Sequence, residues 1–273
     1  NEPVYRSSVR ETYDRILLDL HDASGWLREP VDYSRPSRTA VNALLARVYL
    51  SMGRFAEAKE HAARCLDTYG HLTDFNGPVA RHYTDCIYLG YAVPLSLLRG
   101  SNSNIVVSTQ LYDSYEDGDL RKELYFRLNT NGQPYRRVPY GLGIAYYFTG
   151  LDTDEMYLIR AECNAREGDI QDALDDLNHL LRHRYRSDTF VEREATDTDG
   201  MVRMVLAERR KELFFRNLRW TDLRRLNKLG ENITIQRQMD GVVYSLEPTS
   251  ANWVLPVPNN EITLSGIPQN TRD

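Results

Sequence analysis

Leu44-Leu45-Ala46-Arg47-Val48-Tyr49-Leu50-Ser51-Met52-Gly53-Arg54-Phe55-Ala56-Glu57-Ala58 has a counterpart 115 residues later, Ile159-Arg160-Ala161-Glu162-Cys163-Asn164-Ala165-Arg166-Glu167-Gly168-Asp169-Ile170-Gln171-Asp172-Ala173. Aligning Gly53 with Gly168 sets Ala46 opposite Ala161, Phe55 opposite Ile170, Ala58 opposite Ala173, Ala62 opposite Leu177 and Tyr69 opposite Arg184. Each copy has apolar residues at helical spacing on both sides of a glycine. Small residues let two helices cross closely, and glycine accepts the positive φ of a tight helix end. Asp152, three residues before Glu155, predicts a capping box at the start of the second copy.

The pattern is that of a tetratricopeptide helical hairpin, but contiguous repeats of that kind recur every ~34 residues, so a simple solenoid is not expected. Residues 6–28 predict another helix, with Val9, Tyr13, Ile16, Leu17, Leu20 and Ala23 in register and Gly25 and Pro30 closing it. Residues 71–150 read as irregular, rich in glycine and proline, with short strand-like runs such as 103–108. A stretch this long inside a compact domain points to function. A helical pair follows Asp199, interrupted at Asn217 and ended by Gly230, and the tail 231–273 reads as strand pieces and then an extended, proline-punctuated end. The expected fold is mainly α: one domain over 1–273, with hairpin regions at 6–70 and 151–230, an irregular Tyr-rich insertion at 71–150, and an extended tail.

Composition narrows the function. A net charge of -5 from 34 basic and 39 acidic residues argues against nucleic acid, which selects a positive field. No apolar run approaches the roughly 20 residues of a membrane span, and the start lacks the basic and apolar regions of a signal peptide. Cys65, Cys86 and Cys163 show no metal-ligand spacing, and Cys65 and Cys163 fall on apolar helix faces. Arginine outnumbers lysine thirty to four, and 18 tyrosines stand against 7 phenylalanines.

Several constellations read as structural. His179 and His183 lie four apart, but no third ligand accompanies them, and a solvated helix end is the reading. Asp197-Thr198-Asp199-Gly200 lacks two oxygen positions of a calcium loop and reads as a helix cap. Glu116, Asp117 and Asp119 show no acid and base geometry for glycoside hydrolysis. Glu208-Arg209-Arg210-Lys211-Glu212-Leu213 and Arg219-Trp220-Thr221-Asp222-Leu223-Arg224-Arg225 read as an ion-pair network between helices, with Trp220 as a core plug. No nucleophile elbow, phosphate loop or dinucleotide fingerprint is present, so neither an enzyme nor a cofactor is expected.

These same segments carry a resemblance. Leu44 to Leu50 with Gly53 and Ala58, Glu155 to Glu162 with Gly168, Asp169 and Ala173, and the Glu208–Leu213 and Arg219–Arg225 runs resemble the SusD/RagB family. The end, Leu255-Pro256-Val257-Pro258-Asn259-Asn260-Glu261-Ile262 with Gln269-Asn270, is similar to the closing segment of that family. The resemblance implies a non-enzymatic outer-membrane lipoprotein of Bacteroidetes-type bacteria. Such proteins capture glycans or related nutrients and pass them to a SusC-like TonB-dependent transporter. The family's leader, lipid-modified cysteine and first helical region are not in this chain, which is expected to be a truncated or short member. The aromatic ending usual after Gln269-Asn270 is replaced by Thr271-Arg272-Asp273.

Residues 83–147 hold ten of the eighteen tyrosines. Sugar rings stack their C–H faces on aromatic planes, while amides and guanidinium groups bond their hydroxyls. Tyr112, Tyr115, Tyr135 and Tyr140, with Asn129, Asn131, Arg136 and Arg137, are therefore the candidate ligand-binding set, and Tyr146 and Tyr147 are expected in the core. The alternative is a cytosolic helical-repeat module that holds a peptide in a groove.

Overall fold

The computed structural model describes residues 6–29, 32–77, 85–92, 106–136 and 147–272. Two compact units result, Leu20–Arg219 and a second built from Asn1–Asp19 with Trp220–Asp273. Helix α1 spans Val9–Trp26. Only Leu17 of its predicted apolar face is buried; Val9 and Ile16 lie exposed, as does Trp26.

In the larger unit, α2 (Arg38–Met52) and α3 (Phe55–Thr68) form the first hairpin, and α6 (Thr153–Glu167) and α7 (Ile170–Arg182) the second. Ser37 caps α2, its hydroxyl accepting from the Ala40 N–H at 3.1 Å. Both hairpins turn identically. Gly53 (φ 75°) donates to Leu50 O while Arg54 donates to Tyr49 O, and Gly168 (φ 91°) donates to Ala165 O while Asp169 donates to Asn164 O. This pair of bonds closes the last carbonyls of a helix around a left-handed residue. Ala43, Ala46, Ala58, Ala62, Ala161, Ala165 and Ala173 have no exposed surface, which is how the helices approach so closely.

Although far apart in sequence, the hairpins are neighbours in space: α3 lies against α6, and α8 (Thr198–Glu212) also packs on α6. Leu158, Leu177, Leu180, Leu181, Met201 and Val205 fill the core there. Full burial of one such side chain stabilises by about 1.5–3 kcal/mol. Asp197 caps α8 as expected, accepting from Gly200 N–H at 2.7 Å. The capping box at α6 does not form. Asp152 makes no cap bond and instead meets Arg216 at 2.9 Å, while Glu155 takes the Nε of Arg47 at 2.9 Å.

The insertion contributes α4 (Thr109–Asp113), α5 (Leu120–Tyr125) and short antiparallel pairs: β1 (Cys86–Tyr88) with β6 (Leu151–Asp152), β2 (Tyr91–Ala92) with β5 (Tyr147–Phe148), and β3 (Phe126–Leu128) with β4 (Pro134–Arg136). Of the strand-like run 103–108, Val106 makes a single bridge to Tyr135; 103–105 lie outside the described residues. Gly150 is required at the β1–β6 crossing, since a Cβ there would sit 2.1 Å from Tyr88 O. A separate core of Phe75, Val107, Leu111, Tyr115, Leu120, Tyr125 and Phe126 supports α4, α5 and β3.

A buried ion network ties insertion to hairpins. Arg121, with no exposed surface, donates to both carboxylate oxygens of Asp119 (2.9 and 2.7 Å), to Glu208 (2.8 Å) and to Glu212 (2.9 Å). Arg184, equally buried, donates to Glu212 (2.7 Å) and Thr73 O (2.7 Å) and meets Asp85 at 3.4 Å. The expectation of ion pairing around Glu208 and Glu212 thus holds. Their arginines come from α5 and the end of α7, however, and not from the adjacent arginine run.

In the smaller unit, α9 (Arg219–Lys228) precedes Gly230 at φ 94°, as read from the sequence. Here Asp222 bonds Arg225 at 2.9 Å, and Trp220 is half-buried, tilted 4.8 Å from the buried Trp253. Strands β7 (Ile235–Met239) and β8 (Val242–Leu246) pair through a turn whose central residues, Asp240 and Gly241, both have positive φ. That is the primed turn that Asp-Gly favours, a signal the sequence reading passed over. The tail is not extended throughout: α10 covers Asn259–Ser265, and Asn270 donates back to Leu255 O at 2.6 Å.

Candidate functional site

The β3–β4 hairpin places part of the predicted set on a well-braced platform. Asn129 accepts on Oδ1 from the N–H groups of Asn131 and Gln133, both at 2.9 Å, and Gly132 closes the turn at φ 74°. Asn129 is therefore a turn builder, while Asn131 is exposed at the tip. Antiparallel register sets Phe126 opposite Arg136, Arg127 opposite Tyr135 and Leu128 opposite Pro134. Alternation along a strand then divides the predicted residues between two faces.

On the Phe126 face, Tyr112 stands edge-on to that ring at 5.4 Å with the Lys122 ammonium 4.9 Å from its centre, half-buried. Tyr115 must be removed from the set. It is 1% exposed, packs edge-on to Phe126 at 5.1 Å, and its hydroxyl donates to Lys211 O at 2.8 Å, leaving no face for a ligand. Burial and the surrounding carboxylates hold its hydroxyl firmly protonated. On the opposite face, half-buried Tyr135 lies across from exposed Arg127. Directly opposed residues sit about 4.5–5.5 Å apart at Cβ, which places the two side chains on the same side of the hairpin. Sequence reasoning missed Arg127, although alternation about the Asn-Gly turn would have paired it with Tyr135. Arg136 is placed here by its backbone only; Arg137, Tyr140 and Tyr146 lie outside the described residues, as does the Tyr147 side chain.

The acidic cluster does not assemble. Asp119 is sealed against Arg121, while Glu116 takes Arg193 and the Tyr185 hydroxyl (3.2 Å). Among the described residues no trio of His, Cys, Asp or Glu is positioned for a metal ion. His183 Nδ1 bonds the His179 carbonyl at 2.8 Å, and the two rings lie 5.0 Å apart. All three cysteines are buried free thiols; burial pushes Cys65 up to about 12, so it is inert at neutral pH.

The strongly perturbed acids belong to the scaffold. Burial would raise Glu212, but Arg184 and Arg121 outweigh it and hold the carboxyl at about 2. Asp152 and Asp154 share Arg216, at 2.9 and 3.1 Å, and here burial outweighs the one guanidinium: Asp152 is pushed up to about 6 and Asp154 is raised as well. All of these carboxyls are buried in the scaffold, so their titration bears on stability.

A second feature had no sequence forecast. Between α7, the start of α6 and residues 192–194 runs an open groove of about 530 Å³, with Tyr157, Arg160, Asp176, His179, Arg182 and Glu192 among its lining. The ring of His179 sits 5.0 Å from that of Tyr157.

The family model described as "SusD family" matches residues 153–271, and one described as "Starch-binding associating with outer membrane" matches residues 1–50. The chain is 22% identical to SusD-like protein P2 of Formosa agariphila over 96% of its own length, and spans 64% of that relative. Its fold is similar to a SusD superfamily protein from Bacteroides thetaiotaomicron (TM-score 0.77, 22% identity, 99% of this chain and 68% of the other). It is also similar to a SusD-like carbohydrate binding protein from Bacteroides vulgatus (TM-score 0.71, 18% identity, 96% and 66%). Residues 153–271 match one SusD-type sequence model and residues 1–50 another, and the fold is that of solved SusD-like proteins, so the chain is similar to the SusD/RagB family at both ends.

Proposed function

We propose that this chain is part of a non-catalytic glycan-binding protein of the outer membrane, which hands its ligand to a SusC-like TonB-dependent transporter. The observation that carries the reading is half-buried Tyr135 directly opposite exposed Arg127 in a braced hairpin, with Asn131 exposed at its tip. A half-exposed ring offers a stacking surface for sugar C–H groups, and the guanidinium and amide offer hydroxyl partners without any acid and base pair to cleave a bond. The named relatives and the starch-binding family description support the same ligand class. Attachment through a lipid anchor in the rest of the protein is part of the proposal. A cytosolic peptide-binding module is not favoured, because the match extends well beyond the helical hairpins to residue 271.

The test is calorimetric titration and retention-gel migration against a panel of polysaccharides, using the full-length protein and its Tyr135→Ala and Arg127→Ala variants. Retention by at least one glycan, weakened in both variants at unchanged stability, is the expected outcome. Silence across the panel refutes glycan as the ligand. Co-purification with a SusC-like transporter from the native membrane checks the delivery step.

A further inference from the structure

We infer that the groove along α7 is a second saccharide subsite, selective for neutral sugars over those carrying carboxylate or sulfate groups. The inference rests on the glycan-binding reading above and adds a place and a charge preference to it.

One face of α7 forms one wall of the groove. Gln171, Leu174, Asp175, Asn178, His179 and Arg182 recur at i, i+3, i+4, i+7, i+8 and i+11 along α7, so one stripe of that helix lines the cavity. Its volume of about 530 Å³ suits a small ligand of a few rings. Tyr157 and His179 supply flat surface: the Tyr157 hydroxyl turns inward to donate to Gly70 O at 3.0 Å, which fixes the ring.

Charge decides the ligand class. Every groove cation is already committed: Arg160 donates to both oxygens of Asp176 at 2.9 and 2.6 Å, Arg182 pairs with Glu192, and Arg193 pairs with Glu116. An anionic sugar would compete with these carboxylates for the guanidinium groups and would meet Asp175, Asp176, Glu192 and Glu194 around it. Hydroxyl groups, which both donate and accept, bond to paired carboxylates and guanidinium groups without displacing either. Among the described residues no hydrogen bond engages the His179 ring nitrogens. Burial, then His183, Arg182 and Arg160, lower its pKa, keeping the imidazole neutral with one donor and one acceptor. A peptide is less suited, because the one buried apolar side chain lining the groove, Leu174, offers no pocket for an anchor.

The experiment is an NMR titration of the protein with histidine ring protons and amides observed. The probes are methyl glycosides of glucose, galactose, mannose and xylose, methyl glucuronide, and a mixed-sequence peptide as control. At least one neutral glycoside is expected to shift the His179 ring signals, with methyl glucuronide weaker by about tenfold or more. His179→Ala should lose that site about tenfold while His179→Gln, which keeps a donor and an acceptor, retains most of it; Tyr135→Ala should leave it unchanged. Glycoside shifts confined to the Tyr135 hairpin overturn the groove proposal and leave glycan binding standing. Equal response to glucuronide, or a response to the peptide alone, overturns it as well. No shift at either place, with a silent polysaccharide panel, removes the reading on which it rests.

Discussion

Replacing Arg121 by methionine keeps the aliphatic volume near α5 and deletes a guanidinium that serves three carboxylates inside the larger unit. Glu212 retains Arg184 at 2.7 Å and Glu208 retains Lys211 at 2.5 Å, so the damage concentrates on Asp119, which is 3% exposed. Asp119 would keep the backbone N–H of residue 121, at 3.1 Å, as an acceptor contact but lose its counter-charge. Leaving one partner of a buried ion pair uncompensated costs about 3–5 kcal/mol. Urea unfolding followed by circular dichroism should therefore show a deficit of about 3–5 kcal/mol. Adding Asp119→Asn to the variant removes the uncompensated charge and should recover part of the loss. A deficit below about 1 kcal/mol, or no recovery on adding Asp119→Asn, would refute the claim that this network is a dry, mutually dependent unit.

Two further outcomes follow from the scaffold. Asp152 holds its proton more tightly folded than unfolded, so it favours folding at acid pH, and stability is lost as pH rises from about 4 through about 6; Asp152→Asn should flatten that slope in a pH series of unfolding midpoints. Gly168→Ala, at φ 91° with open space around it, should cost about 1–2 kcal/mol for the left-handed backbone alone. Gly150→Ala should cost visibly more in a parallel thermal melt, because its Cβ would meet Tyr88 O at 2.1 Å and β1 and β6 must part.

Much of the helical architecture is readable because its causes are local. Gly53 and Gly168 end α2 and α6 through bonds to residues three to five positions back, and Asp197 caps α8 from three positions ahead of its donor. Spacing of this length is visible in a line of text. The candidate site was legible only in part. Asn131 lies exposed at the hairpin tip and Tyr135 half-buried on its strand, but Tyr115, drawn from the same Tyr-rich stretch, went to the core because its hydroxyl found Lys211 O across 96 positions of sequence. Composition marks a stretch as aromatic and is silent on which rings turn inward. Asp152 shows the same competition, since a sequence-perfect cap lost to Arg216, whose buried charge needed a carboxylate more than the helix needed one more acceptor.

By itself the sequence determined two glycine-ended helical hairpins, a separate aromatic insertion, and acids on α8 destined for arginine partners. The tertiary structure decided that α3 and α6 are neighbours, that those partners are Arg121 and Arg184 at separations of 91 and 28 residues, and that α7 lines a groove. The division has one physical cause. Helix periodicity and capping are settled within a turn or two of chain, where each residue carries its own signal. Pairing of buried charges is settled by which groups desolvate together, and that choice leaves no mark on the sequence around either partner.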